Sequence, residues 1–465
     1  MKPLTLQGRW WLPQTPNDAE TGTLTFDQIN GANLSIVGRL KPLNAQPVEA
    51  DEQHIAIHGI TTDGKPVTLL KTFAIRSNIA LNSGISTETW YAHYIAIGAH
   101  FLSAEELLFN RSWVRFDGIA RWLAYDPFAE TYDFDSKSIV LTVRKPQRRN
   151  LGEIPDARLY NDSHISFGRD GYERWTSASE AMIAVDANES KSLNWHFEAA
   201  SKLRSLAELL YGRPLQLSKL KVELPREPNA DGYPPYVEVD IHARMIGGDD
   251  NLPPVDRPPM LTAPALLEAA PNAIADWFAQ YDTLSAALHL LSTVAADRRM
   301  FLNVRFLLAA QAVETFHREA FPGTIVSNKE HKAIVDVLTA AIPEGTGKEM
   351  REKLKSLLNF SNEPSLRYRL RSLIVLAKDG RSHVMPAYDK AFISAVVATR
   401  NYETHHGEPP SNLLTDGEMH WAVRRIVVLL TVLFLRRLGL SPNAIDVVIA
   451  GHLEFHKLWT SRDTP

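Results

Sequence analysis

The sequence contains no cysteine. Disulfides, thiolate metal sites and a cysteine nucleophile are therefore excluded, and a reducing cytoplasm is the expected location. An excess of one charge is missing as well. Fifty basic against 54 acidic side chains leave a formal charge of −4, so a nucleic-acid site has to be a local basic patch. No apolar run reaches membrane length. The longest, Ile426 to Leu435, is about half a span and is bracketed by Arg424-Arg425 and Arg436-Arg437, which suits a buried bundle helix. The opening MKPLTLQGRWWLPQT has no stretch like a signal peptide, so no membrane partner is expected.

What is present divides near residue 260. Before it, short alternating runs are broken by turn residues. GTLTFDQINGANLSIVGRL alternates apolar and polar positions, and HIAIHGITTDGKPVTLLKTFAI is two such runs around an Asp-Gly turn. TWYAHYIAIGAHF, SKSIVLTVRKP, LSKLKVELP and YVEVDIHARM continue the pattern. One amphipathic helix interrupts them in NWHFEAASKLRSLAELLYGRP, with Leu203, Leu206, Leu209 and Leu210 on one stripe and Gly212-Arg213-Pro214 as its stop. A Pro/Gly/Asp-rich passage follows. Beyond it the period becomes helical, with helices expected at about 273–295, 299–320, 329–341, 347–361, 365–377, 387–405 and 416–438, and a further one at 442–452. The expected fold class is α+β with several domains: a β-rich domain over 1–245, a linker over 246–262 and an all-α bundle over 263–465.

Several chemical motifs fail on context. GITTDGKP (59–66) has the spacing of a phosphate loop, but Pro66 stands where a magnesium-holding hydroxyl belongs and a strand follows in place of a helix. His54 and His58 share a strand face with no further ligand near them, and read as a polar outer face. Glu314 and His317 have the spacing of half a di-iron site without a second half. No metal and no cofactor are expected. Arg158 and His164, in RLYNDSH, sit in a polar, loop-like stretch and read as a chance pair.

The segment ATRNYETHHGEPP (398–410) is different, because it ends a well-patterned helix. RNA carries its own nucleophile, the 2′-hydroxyl, so cleavage needs only a proton-moving group and a cation over the phosphate. A histidine at a helix C-terminus suits the first task, since the helix dipole favours its protonated form. An arginine fork suits the second. Five residues at 3.6 per turn, however, put His405 about 140° around the helix from Arg400. The pair meets only if the last turn unwinds or a second chain completes the site; on composition alone a solvated helix end competes with both.

RNYETH (400–405) has the form R-N-x-x-x-H and resembles the R-x(4–6)-H motif of HEPN ribonucleases. RFLLAAQAVETFHREAF (305–321) resembles the opening helix of ApeA-like HEPN domains, with Glu314 at a recurrent acidic position. GRWWLP and GTLTFDQINGANLSIVGRL are similar to the domain that precedes that HEPN domain. The resemblance implies a HEPN bundle that dimerises, bringing Arg and His from both chains into one cleft, and cleaves RNA without metal to leave a 2′,3′-cyclic phosphate. It implies a role in bacterial anti-phage defence, in which cleavage of host RNA stops growth, with a phage-derived trigger. Carried onto this chain, Arg400 stabilises the phosphorane, His405 is the acid/base, Asn401 supports them and Glu314 orients Arg400 or a histidine. His406 satisfies the same spacing. Candidate RNA contacts are Arg367, Arg369 and Arg371 on one helix, and Arg144, Lys145, Arg148 and Arg149 form a second basic cluster. Two other readings stay open: a catalytically silent HEPN protein that binds RNA, a nucleotide or a partner, and a β-rich half whose own ligand defines the function.

Overall fold

The computed structural model describes residues 1, 3–40, 55–79, 86–103, 107–171, 174–225, 235–244, 254–296, 300–378 and 388–451. His54 and residues 246–253 of the expected linker lie outside them. The chain divides into two units, Met1–Phe278 and Ala279–Pro465.

The first unit begins with β1 (Leu4–Trp11), β2 (Glu20–Asp27), β3 (Gly31–Val37), β4 (Ile55–Thr61), β5 (Pro66–Ile79) and β6 (Ser86–Ile97). All neighbours are antiparallel, and the order β6-β3-β2-β1-β4-β5 closes through a β5–β6 pairing into a six-stranded barrel. The expected Asp-Gly hairpin is there, with Gly64 in the left-handed region at φ 81° and the Gly64 amide donating to the Thr61 carbonyl. Alternation has the ordinary cause: Trp10, Leu24, Leu34, Ile36 and Trp90 are buried on one face of these strands, while their sequence neighbours are not.

From β6 the same sheet runs on through β14, β13, β7, β12, β11 and β10. In chain order these are β7 (Leu108–Phe116), β10 (Asn150–Ile154), β11 (Ala157–Asp170), β12 (Arg174–Ser192), β13 (Leu217–Pro225) and β14 (Tyr236–Ala243). A short helix α1 (Ile119–Trp122) and a separate hairpin of β8 (Phe128–Asp133) and β9 (Ser138–Val143) lie between β7 and β10. Helix α2 (Leu193–Tyr211) packs on β7, β12 and β13 through the predicted leucine stripe, capped by Ser192 at one end and by Gly212 in αL at the other.

Two sequence expectations are corrected here. Arg158 and His164 are not in a loop but on β11, paired in register with Asp186 and Glu180 of β12; fourteen paired residues outweigh the polar composition of RLYNDSH. His58 is not on a polar outer face. It is buried, hydrogen-bonds through Nε2 to the Phe101 carbonyl, and stacks on His100 at 4.4 Å between ring centroids. In the second basic cluster, Arg148 is committed to Asp186 at 2.6 Å and Lys145 to Asp162 at 3.4 Å.

His242 on β14 gives this unit a pH dependence. Burial, then the chain's terminal amine and Lys219, push its imidazole from 6.5 down to about 4. The folded state thus favours the neutral ring, so its stabilising contribution is complete above about pH 6.5 and fades as pH falls toward 4. We expect His242→Phe, which keeps a ring against Phe26, to lose less melting temperature than wild type between about pH 7 and about pH 5. Equal losses would remove His242 as the cause.

A short helix not expected from the periodicity, α3 (Ala263–Ala269), precedes those that follow the sequence closely: α4 (Ala273–Ala296), α5 (Leu302–Ala320), α6 (Asn328–Ala340), α7 (Lys348–Phe360), α8 (Leu366–Lys378), α9 (Lys390–His405), α10 (Asp416–Arg437) and α11 (Pro442–Gly451). In the second unit, α10 packs on α5 and α8, and α9 packs on α5 and α8. The run Ile426–Leu435 forms the middle of α10, where all but Val427 are buried, as expected of a bundle helix. No helix among the described residues is long and apolar enough to cross a membrane.

Candidate active site on α9 and α5

Helix α9 is held at both ends. Asp389 caps its start by accepting from the Phe392 amide, and Phe392, Ile393, Val396 and Thr399 bury one face. The chain after α9 returns to it, where the buried Thr399 hydroxyl accepts from the Leu414 amide and the Asn412 side chain donates to the Ser394 hydroxyl. A capping box between Thr415 and Glu418 then starts α10. The start of α9 and its body up to Thr399, just before the RNYETHH segment, are therefore fixed by local chemistry.

The helical ladder runs to the end of the segment. His405 is the last helical residue, and the His406 amide donates to the Tyr402 carbonyl at 2.7 Å. His406 itself is the C-cap, in αL at φ 46°, so the helix ends at His405, as its pattern predicts. The last turn is not unwound. Arg400 and His405 consequently keep the angular separation of an intact helix, about 140°. His405 and His406 are exposed, and the His406 ring meets Tyr402 edge-on at 5.8 Å.

Arg400 is half-buried and aimed at α5. Its guanidinium lies 3.4 Å from Glu314 Oε2 and 3.5 Å from Oε1, and donates to Asn401 Oδ1 at 3.3 Å. Arg400, Asn401 and Glu314 are thus brought together. The pairing joins residues 86 positions apart and depends on α5 packing against α9. One turn along α5, His317 is buried and takes Arg369 Nη1 at 3.1 Å on Nδ1. Burial, then the neighbouring Arg369 cation, hold the His317 imidazole below its ordinary value.

The three α8 arginines separate. Arg367 and Arg371 are exposed, whereas Arg369 is buried and donates through Nε to the Pro364 carbonyl. Arg369 therefore does not belong to the exposed face, because two residues along a helix turn the side chain about 200°. Among the described residues no cluster of three or more acidic or histidine side chains is placed to hold a metal.

Residues 5–268 match the family model of ApeA N-terminal domain 1, and residues 307–444 match that of the Apea-like HEPN domain. The chain belongs to the ApeA-like HEPN family. No curated protein and no solved structure matches it. HEPN domains are in general of ribonuclease type and connected with defence, and they typically bind RNA and oligomerise. In this ApeA-like chain the matched HEPN span contains α9, α8 and all but the first turn of α5, so every residue of the candidate site falls inside it. The Arg369–His317 pair behind Glu314 is the part that sequence reading missed. Its signal was the phase of Arg369, opposite Arg367 and Arg371 on the same helix.

The Glu314 carboxylate is expected to orient Arg400. We predict that Glu314→Ala lowers kcat for RNA cleavage about tenfold with little change in KM, as loss of a positioning contact should. The partly exposed ion pair itself is worth at most about 1 kcal/mol, so the melting temperature should barely move. A large drop in melting temperature with kcat intact would make Glu314 purely structural.

Proposed function

We propose that this protein is a metal-independent endoribonuclease that cuts cellular RNA, tRNA or mRNA, in anti-phage defence by abortive infection. It acts as a homodimer or higher oligomer of its HEPN bundle in the cytoplasm. The observation that carries the reading is the R-N-x-x-x-H segment at the exposed end of an intact α9, with Arg400 anchored on Glu314 and His405 open to solvent. Arg400 neutralises the charge that builds on the phosphorane as the 2′-hydroxyl attacks. His405, or His406 beside it, moves the protons, and Asn401 steadies Arg400. Because an intact helix points Arg400 and His405 apart, the working pair is drawn from two chains across an isologous interface. Arg367 and Arg371 are the exposed cations on α8 that would meet RNA phosphates.

The division of labour is read in the same way: 1–245 as a sensing or regulatory domain, 246–262 as a linker and 263–465 as the catalytic, dimerising bundle, with a phage-derived trigger. The test is incubation of the purified protein with total bacterial RNA in EDTA. Cleavage that leaves 2′,3′-cyclic phosphate ends supports the proposal, and activity that disappears with chelation overturns it.

A further inference from the structure

The barrel carries a second feature that the ribonuclease reading does not use. One face of β1 to β6, opposite the face that buries Trp10, Leu24, Leu34 and Ile36, borders an open concavity of about 1170 Å³. Typical small-molecule sites occupy roughly 300–1,000 Å³, so this one has room for a ligand larger than a mononucleotide.

Register explains its lining. One rung across five strands runs Arg9, Thr21, Val37, Thr87, Asn78, each residue paired with the next. The adjacent rung on the same face runs Gln7, Thr23, Ser35, Thr89, Arg76. Nine of these ten side chains are polar, the exposed Ile60 of β4 continues the first rung beyond Arg9, and the two arginines stand toward opposite sides of the face. An ordinary solvent face of a sheet mixes lysine with glutamate; here neither lysine nor aspartate lines the cavity. Among the described lining residues the only carboxylate, Glu88, sits on the opposite face of β6. It is buried there and held by Arg39 at 3.4 Å and by the Trp90 indole N–H at 3.1 Å.

The two arginines are free to bind. Arg9 is exposed and donates only to the Ala19 carbonyl, and Arg76 is exposed with no ion pair among the described residues. Four strand spacings separate them along the curved sheet, about 19 Å between backbones. Arginine forks recognise phosphate oxygens by paired hydrogen bonds, and the hydroxyls and amides between them suit sugar hydroxyls and base edges.

We propose that this cavity is a binding site for a small phosphorylated ligand of dinucleotide size, with one phosphate end taken by Arg9 and the other by Arg76. The site is separate from the α9–α5 site and does not depend on the ribonuclease reading. Occupancy would reach the protein through the barrel strands.

The test is calorimetric titration of the full chain with the diribonucleotide pApAp, with its dephosphorylated form ApA and with inorganic phosphate. Arg400→Ala serves as the background so that the probe is not cut. Saturable one-to-one binding of pApAp is expected, with ApA at least about tenfold weaker, as loss of charge-assisted hydrogen bonds implies. Arg9→Ala and Arg76→Ala should each raise the dissociation constant about tenfold, and the double variant should bind nothing measurable. Unchanged melting curves of these exposed-residue variants would show that the fold is kept. Absence of pApAp binding, equal binding of ApA, or binding indifferent to Arg9 and Arg76 would each overturn the proposal, whether or not the chain cleaves RNA.

Discussion

Arg400→Ala and His405→Ala are each expected to lower the rate of RNA cleavage in EDTA by roughly 10²–10⁴-fold. The size follows from what each removes. In the proposed reaction Arg400 is the cation that meets the developing charge, and without it the phosphorane charge is met by water. His405, at the exposed end of α9, is the proposed proton carrier, and its loss would leave protons to move through solvent. Neither substitution opens the core, since His405 is exposed and Arg400 half-buried, so melting temperatures should stay close to wild type. His406→Ala separates the two histidines: if His405 is the acid/base, this variant keeps most of its activity. A mixing experiment then reads the pairing. If Arg400 of one chain works with His405 of another, the two inactive variants dissociated and reassociated together should recover about a quarter of wild-type activity. Half of random dimers are mixed, and each mixed dimer holds one intact pair of two. A mixture as silent as its components would remove pairing across chains as the explanation of the 140° separation.

The largest stability effect is expected in the barrel, at Trp10. Its side chain is fully buried, and its indole N–H donates to the Gly22 carbonyl at 3.1 Å. The ring lies so close over Gly59 that a Cβ there would come within 2.3 Å of a ring carbon, and a Cβ at Gly22 would approach it to 3.0 Å. Glycine is therefore required by the ring at Gly59, and at Gly22 by the Ser35 carbonyl at 2.7 Å together with the ring, since neither carries a left-handed φ. Trp10→Ala should destabilise this unit by about 3–5 kcal/mol, through lost burial and a cavity that surrounding strands cannot close. Gly59→Ala tests the same contact from the other side. It should cost about 1–3 kcal/mol, because a ring fixed by its hydrogen bond has no free rotamer to retreat to. Denaturant titration followed by tryptophan fluorescence would measure both. Near-wild-type stability of Gly59→Ala would mean that the ring shifts more easily than its packing implies.

What the sequence by itself determined is what local chemistry controls. The Asp63-Gly64 turn, the stop at Gly212, and the helical and two-residue periods locate most elements to within a few residues. The R-N-x-x-x-H segment and Glu314 were legible too, because a short motif on a patterned helix needs no partner to be seen. Tertiary structure decided everything that depends on which distant faces meet. It brought Glu314 to Arg400 across 86 residues, buried Arg369 against His317 while leaving Arg367 and Arg371 exposed, and stacked His58 on His100. It also placed RLYNDSH in a sheet and set Arg9 and Arg76 on adjacent rungs of one face. A residue's phase along its own helix or strand is written in its neighbours. The element packed against that phase is set by burial and register over the whole chain, which no local window contains.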